Sequence, residues 1–281
     1  MNIKFYQYFY YTNKKHLYTE MVNWSSCINE KYCQLHGYEY KLDFKECTEI
    51  TPEFNLLEYS ISKKIELIYN ELILSDCDYL VFVDADAAVN NPNIKIEDLI
   101  NLQPEYELYL SHGNDKIYSI MTVNTLINKL NNVVQQYGGT NNEYWHTIVK
   151  EQNLFRELYG LSCCQYFFNE GLIIIKNTEL MRRFWKQCVD FIPLIKARWT
   201  DAFLAIDGAV IQETLRLKEF QTCFTFLPDY AQGGVANSFE TKYNEDTTFI
   251  LHNYGDALTL EQKYNMLYNL LLNKHWKYYV Q

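Results

Sequence analysis

The sequence predicts an α/β fold built on a mostly parallel central sheet, with helices on both faces and an inserted helical subregion. Three observations carry that prediction. Runs rich in β-formers and runs with helical apolar spacing alternate through residues 1–90 in the order strand, helix, strand, helix, strand, which right-handed crossovers turn into a parallel sheet. The third strand run, in YLVFVDADAAV (79–89), carries apolar residues on both faces, as a strand covered on both sides must. The chain of 281 residues is 48% hydrophobic with only 10 Gly and 5 Pro, so it can bury one large core and is too apolar for a disordered or collagen-like chain.

The elements follow in order. IKFYQYFYY (3–11) is a strand closed by Thr12-Asn13, a turn or cap pair. Over 14–35, Leu17, Met21, Trp24, Ile28, Tyr32 and Leu35 make one face of an amphipathic helix that Gly37 stops. YEYKLDF (38–44) is the second strand, and Ile61, Ile65, Ile68, Leu72 and Ile73 give the next helix over 58–74. After the strand at 79–89, residues 116–160 are polar and mostly helical, broken at Gly138-Gly139. QYFFNEGLIIIKN (165–177) is a strand region, 178–190 a helix, and 208–217 a helix with Asp207 at its N-cap. CFTFL (223–227), a Gly-Gly loop at 233–234 and a strand in TFILHNYG (248–255) precede a C-terminal helix over about 259–273. No repeat or composition break divides the chain, so one domain spans 1–281.

Composition excludes several function classes. Lys and Arg total 25 against 35 acids, a net charge of −10, which is the wrong sign for a protein that coats nucleic acid. A phosphate-bearing ligand needs a metal or a few placed cations. No uncharged apolar run reaches about 18 residues, so no membrane span is expected. The N-terminus lacks a basic n-region and a cleavage site, and the expected location is cytoplasmic. The eight cysteines form no CxxC pair and fit buried, reduced thiols.

Asp84-Ala85-Asp86 is the sharpest chemical feature. It closes an apolar strand at its carboxyl end, where open α/β sheets bind ligands, and two carboxylates one residue apart can offer oxygens to Mg²⁺ or Mn²⁺. Such an ion would neutralise a diphosphate leaving group in an acidic protein. His252 supplies a third ligand of a type that Mn²⁺ accepts, although a hydrogen-bonded histidine at a strand end has the same sequence appearance. Asp207 as a plain helix cap and the tyrosines as ordinary strand residues are equally open readings.

With these residues in place, YLVFVDADAAVNNP resembles the DxD region of GT-A-type glycosyltransferases. The nearest likeness is to the galactosyl, mannosyl and xylosyl transferases of fungal and plant Golgi, with glycogenin-like enzymes more distant. YCQLHGYEYKL (32–42), FFNEGLIIIKN (167–177) and HNYGD (252–256) follow in the family's order, so the resemblance runs from about residue 3 to about 256. It implies a Rossmann-like GT-A fold, a nucleotide-binding half over about 1–110 and an acceptor-side half over about 111–281. It implies Mn²⁺ (or Mg²⁺) held by Asp84, Asp86 and His252, and a UDP-sugar donor. Around that donor it places Tyr8, Tyr10, Tyr11 and Thr12 at the uracil, with Ala85 and Gly255 in the two motifs. It also places Lys63 or Lys64 at the diphosphate, and Asn169 with Gly171 at the sugar. Asp207, or in second place Asp201, would face the anomeric carbon and the acceptor as base if the reaction inverts; a retaining enzyme need not have one. Trp145, Trp199 and Tyr166 are candidates for stacking on an acceptor sugar. Two departures from the family pattern stand out. Glu170 replaces a small residue and adds an acceptor-side carboxylate, and Gly208 replaces a Gln or Asp.

The expected activity is transfer of a hexose or pentose, such as galactose, glucose or xylose, from a UDP-sugar to a hydroxyl of an oligosaccharide or glycoprotein. Two alternatives remain. A haloacid-dehalogenase-type phosphatase also has a strand followed by DxD, but usually near the N-terminus and with Thr or Val where this chain has Ala88. A non-catalytic sugar-nucleotide or glycan-binding module would share the residues without turnover.

Overall fold

The computed structural model describes residues 1–11, 16–46, 56–112, 168–198, 206–234, 243–252, 260–270 and 272–276. The strands are β1 (Ile3–Tyr11), β2 (Glu39–Glu46), β3 (Tyr79–Val83), β4 (Ala87–Val89), β5 (Leu108–His112), β6 (Phe168–Lys176), β7 (Phe224–Phe226), β8 (Gln232–Gly234) and β9 (Ile250–His252). The helices are α1 (His16–His36), α2 (Leu56–Leu74), α3 (Ile96–Asn101), α4 (Glu179–Arg198), α5 (Ile206–Leu215) and α6 (Leu260–Leu270). The helical stretch expected at 116–160 lies outside the described residues.

Six strands form the main sheet in the order β2-β1-β3-β6-β5-β7. β1 pairs in parallel with β2 and β3, and β5 with β7, while β6 runs antiparallel between β3 and β5. The sheet is therefore mixed but mostly parallel, with β1 and β3 adjacent where the crossovers change direction. That crevice at the strands' carboxyl ends is where such sheets bind ligands.

The two-residue period of the strands divides the core in two. Tyr6, Tyr8, Leu80, Phe82, Leu108, Leu110, Ile173 and Ile175 face α2, α4 and α5. Ile3, Phe5, Val81, Val83, Tyr109, Leu172 and Ile174 face α1, α3 and the second sheet. Helices thus cover both faces, as the doubly apolar run at 79–83 required.

Several expectations are corrected. The run 79–89 is two strands, because the chain turns through Asp84–Asp86, with Ala87 N–H bonded to Asp84 O at 3.0 Å. β4 then leaves the main sheet and joins a three-stranded sheet of order β4-β9-β8. Gly233 and Gly234 are not a loop; parallel pairing with β9 draws them into β8. The helix expected at 178–190 continues to Arg198 through Pro193, with Phe191 and Ile192 buried beneath that segment. Asp207 lies inside the first turn of α5 and is not its N-cap. α3 and β5 add two elements to those that the sequence pattern predicts. Leu35 and Ile73 are exposed; the buried face of α1 instead runs through Met21, Val22, Ser25, Ile28, Asn29, Tyr32 and Cys33. Cys33, Cys77, Cys188 and Cys223 are buried free thiols, as expected of reduced cysteines. Among the described residues, no helix is long and apolar enough to cross a membrane.

Candidate active site

The turn after β3 is positioned by the helix and strand beside it. Ser25 of α1 donates to Ala85 O, and Asn29 both donates to Ala87 O (3.0 Å) and accepts from Val89 N–H (2.9 Å). From β1, Gln7 donates to Asp84 O at 2.9 Å, and Tyr40 in turn donates to the Gln7 side chain. Three buried polar side chains therefore satisfy the backbone of the turn, which would otherwise carry unpaired carbonyls into the core.

β4 pairs antiparallel with β9, with Ala87 opposite His252. This register sets His252 beside the aspartates although 166 positions separate it from Asp86 in sequence. His252 Nε2 lies 3.3 Å from Asp86 Oδ1 and 3.6 Å from Asp84 Oδ2. One ligand atom from each of Asp84, Asp86 and His252 falls within 4.8 Å of the other two. Two carboxylates and an imidazole at that separation fit a divalent cation. Gln232 on β8 lies with its Nε2 3.2 Å from His252 Nδ1 and 2.6 Å from Asn169 Oδ1. It therefore touches the ring from behind, a contact that no local pattern announces.

Gly171 is tight for a related reason. A Cβ there would lie 2.5 Å from His252 Nδ1 and 2.9 Å from Asn169 Oδ1. The group that approaches this backbone is the histidine ring. Asn169 Oδ1 accepts from Gly171 N–H at 2.8 Å, so the pair braces the imidazole.

The structure distinguishes the two lysines. Lys63 pairs with Glu66 on its own helix, half-exposed. Lys64 is buried, with Nζ 2.7 Å from Asp207 Oδ2 and 2.9 Å from Asp84 Oδ1, over the Phe82 ring. Burial alone would lower its ammonium, but the Asp207 and Asp84 carboxylates hold it well above its ordinary value. Burial raises Asp84 above the usual carboxylate range against the pull of Lys64 and His252, with Asp86 adding to the rise. Asp207 also accepts from Gly208 N–H at 2.9 Å, so each of its oxygens already has a contact.

Glu170 completes the group. β6 loses register with β5 between Ser111–Asn169 and Leu110–Ile173, leaving Glu170, Gly171 and Leu172 bulged at the edge of the site. Gly171 O accepts from Asp84 N–H at 3.0 Å, which fixes the bulge against the turn. The Glu170 carboxyl lies over Gly208, where a Cβ would come 2.1 Å from its Oε1.

Of the tyrosines, Tyr8 is buried with its ring 6.0 Å from Phe82 and 5.6 Å from Tyr10, and Tyr10 is half-buried against the same core. Tyr11 ends β1. Thr12, Asp201, Gly255, Trp145, Trp199 and Tyr166 lie outside the described residues. Sequence reasoning missed Gln232, Ser25, Asn29 and Gln7; buried polar residues on an apolar face were the signal for the last three.

Comparison with known proteins finds a similar fold. A glycosyltransferase involved in the glycosylation of the major capsid of PBCV-1 superposes with a TM-score of 0.57 and 12% identity, over 95% of this chain and 99% of that one. The galactosyltransferase LgtC, solved with donor and acceptor sugar analogs, gives a TM-score of 0.46 at 12% identity over the whole of both chains. GlyE of Streptococcus pneumoniae TIGR4 gives 0.44 at 12% over 99% of this chain and 62% of that one. No family model matches, and no curated protein matches. The mixed, mostly parallel sheet with its DxD turn has the GT-A type of fold.

Proposed function

We propose that this protein is a divalent-metal-dependent glycosyltransferase that moves a hexose or pentose from a UDP-sugar to a hydroxyl of an oligosaccharide or glycoprotein. One observation carries the reading: Asp84, Asp86 and His252 converge within 4.8 Å at the carboxyl end of β3, beside the buried Lys64, in a chain of GT-A-type fold. A phosphatase nucleophile at Asp84 would need no histidine ligand brought from a second sheet, so the donor set favours metal-held diphosphate.

In this reading Asp84, Asp86 and His252 hold Mn²⁺, which when bound supplies Lewis-acid stabilisation of the charge that develops on the leaving diphosphate. Lys64 adds a fixed cation on the same side, and Asp207 keeps its ammonium from collapsing wholly onto Asp84. Gln232, Asn169 and Gly171 orient the imidazole. Tyr8 is taken up by the core, so of the described tyrosine side chains at the end of β1 the half-buried Tyr10 is the one that would flank the nucleobase.

The test is a panel of UDP-galactose, UDP-glucose and UDP-xylose incubated with Mn²⁺ or with EDTA and scored for UDP release. Release that depends on Mn²⁺ and on one sugar supports the reading. Equal UDP affinity by calorimetry with and without metal, together with no release, removes it. Phosphate release from a generic phosphomonoester instead supports the phosphatase, and binding without turnover the binding module.

A further inference from the structure

The two departures from the family pattern meet in space. Glu170 on β6 stands where a small residue was expected, and Gly208 on α5 where a polar side chain was expected. The carboxyl of the first fills the volume that any side chain at the second would need: a Cβ on Gly208 would sit 2.1 Å from Glu170 Oε1 and 3.3 Å from its Cδ. A Cβ at 208 would therefore displace the Glu170 carboxyl, the far end of a flexible side chain, from this position. The absent polar group of α5 is thus replaced by a carboxyl delivered from the sheet.

Exposure separates the carboxylates around Lys64. Asp207 is buried with one oxygen on Lys64 and the other on Gly208 N–H. Asp84 and Asp86 reach the cleft but are claimed by the cation site. Glu170 is part-exposed and lies on the Lys64–Asp207 side of the Asp84 turn. Of the two carboxylates on the Lys64 side, Glu170 is the more exposed.

Resting on the glycosyltransferase reading, we infer that Glu170 is the catalytic residue that accepts the proton of the attacking hydroxyl, while Asp207 is a positioning residue that holds Lys64. The acceptor O–H proton passes to the Glu170 carboxylate as an oxygen lone pair forms the bond to the anomeric carbon. The bond from that carbon to the diphosphate breaks, and its electron pair leaves on the diphosphate oxygen. Burial, with the adjacent Asp207 carboxylate, pushes Glu170 up to about 8 against the pull of Lys64, and a base works best when its pKa is near the working pH.

The test uses the full chain with Mn²⁺ and the UDP-sugar of the panel above that the wild type hydrolyses best, with water as the attacking hydroxyl. Glu170→Gln keeps the shape over Gly208 and should lower UDP release at least about 100-fold, the low end for a lost general base, with UDP affinity within about threefold. Glu170→Ala should lose as much and regain about 10-fold or more with added formate, which a merely structural role would not do. Gly208→Ala should impair release in the wild type and add nothing on the Glu170→Ala background, because the two share one space. Hydrolysis by Glu170→Gln within threefold of wild type, or loss without formate rescue, overturns the inference and leaves the glycosyltransferase reading standing. A wild type without metal-dependent UDP binding or release removes that reading first, and the inference with it.

Discussion

His252 and Lys64 are each defined by a neighbour far away in sequence, and each makes a separate prediction. An imidazole ligand favours Mn²⁺ over Mg²⁺, whereas carboxylates and water accept both. His252→Ala should weaken metal-dependent UDP binding at least about 10-fold and narrow the Mn²⁺ preference, with the circular dichroism spectrum unchanged. Calorimetry in each metal decides it, and unaltered affinity in Mn²⁺ would leave His252 only its packing against Gly171. Lys64→Met keeps the apolar stem over Phe82 but removes the charge. A charge-assisted contact is worth about 1.5–3 kcal/mol, so UDP affinity should fall about 10- to 100-fold. Lys63→Met, on a side chain that faces Glu66, should stay within twofold. The opposite ranking would move the diphosphate to the other face of α2. Adjacent lysines on a helix point about 100° apart, and only the packing of α2 on the sheet tells which one enters the cleft.

At the scale of elements, α1 acts on the site through Asn29. Its side chain is fully buried and serves both Ala87 O and Val89 N–H, so Asn29→Ala strands two backbone groups in the core. The expected cost is about 2–4 kcal/mol, with looser metal binding because the Asp84–Asp86 turn loses its brace. Chemical denaturation and metal titration of the variant measure both effects, and a variant as stable and as metal-tight as the wild type would mean that the turn holds itself. At the opposite end of the sheet Glu71 of α2 pairs with Lys4 at 2.7 Å and with Lys41 at 2.5 Å. Burial would raise its carboxyl, but the hydrogen bonds from Lys4 and Lys41 override that and hold it below the ordinary value of 4.5. A carboxyl lowered in the folded state stabilises above its unfolded pKa and loses that contribution as pH falls through the folded one. Glu71→Gln should therefore cost about 3 kcal/mol at pH 7, and the gap to wild type should close as pH drops below 4.5. Denaturation curves at pH 7 and in that acidic range check the sign, and a gap that widens in acid would contradict it.

Among the described residues two sheets are joined at a turn, and the candidate cation site uses that junction, with two ligands from the turn and one from β9 of the smaller sheet. A cation that binds only the folded arrangement stabilises it by about 2.7 kcal/mol at 100 times its Kd, a rise in Tm of roughly 5 °C for a chain of this size. Thermal melts with Mn²⁺ should show the rise, EDTA should reverse it, and Asp86→Asn should abolish most of it; identical melts would separate the aspartates from any metal. The outline of this arrangement is legible in local patterns. Period-two runs at 3–11 and 168–176, helical spacing in α1 and α2, and a doubly apolar strand ending in Asp84-Ala85-Asp86 specify an α/β sheet with an acidic edge, because periodicity reports which face of an element is buried. Local pattern does not report which distant element does the burying. The break of 79–89 into β3 and β4, the selection of Lys64, the bracing of His252 by Gln232 and the fit of Glu170 over Gly208 are all contacts between segments 20 to 165 positions apart, or consequences of them. The sequence by itself determined the elements and the acidic turn; the tertiary structure decided which side chains surround that turn, since those pairings arise only when β9, α2 and α5 pack against the same end of the sheet.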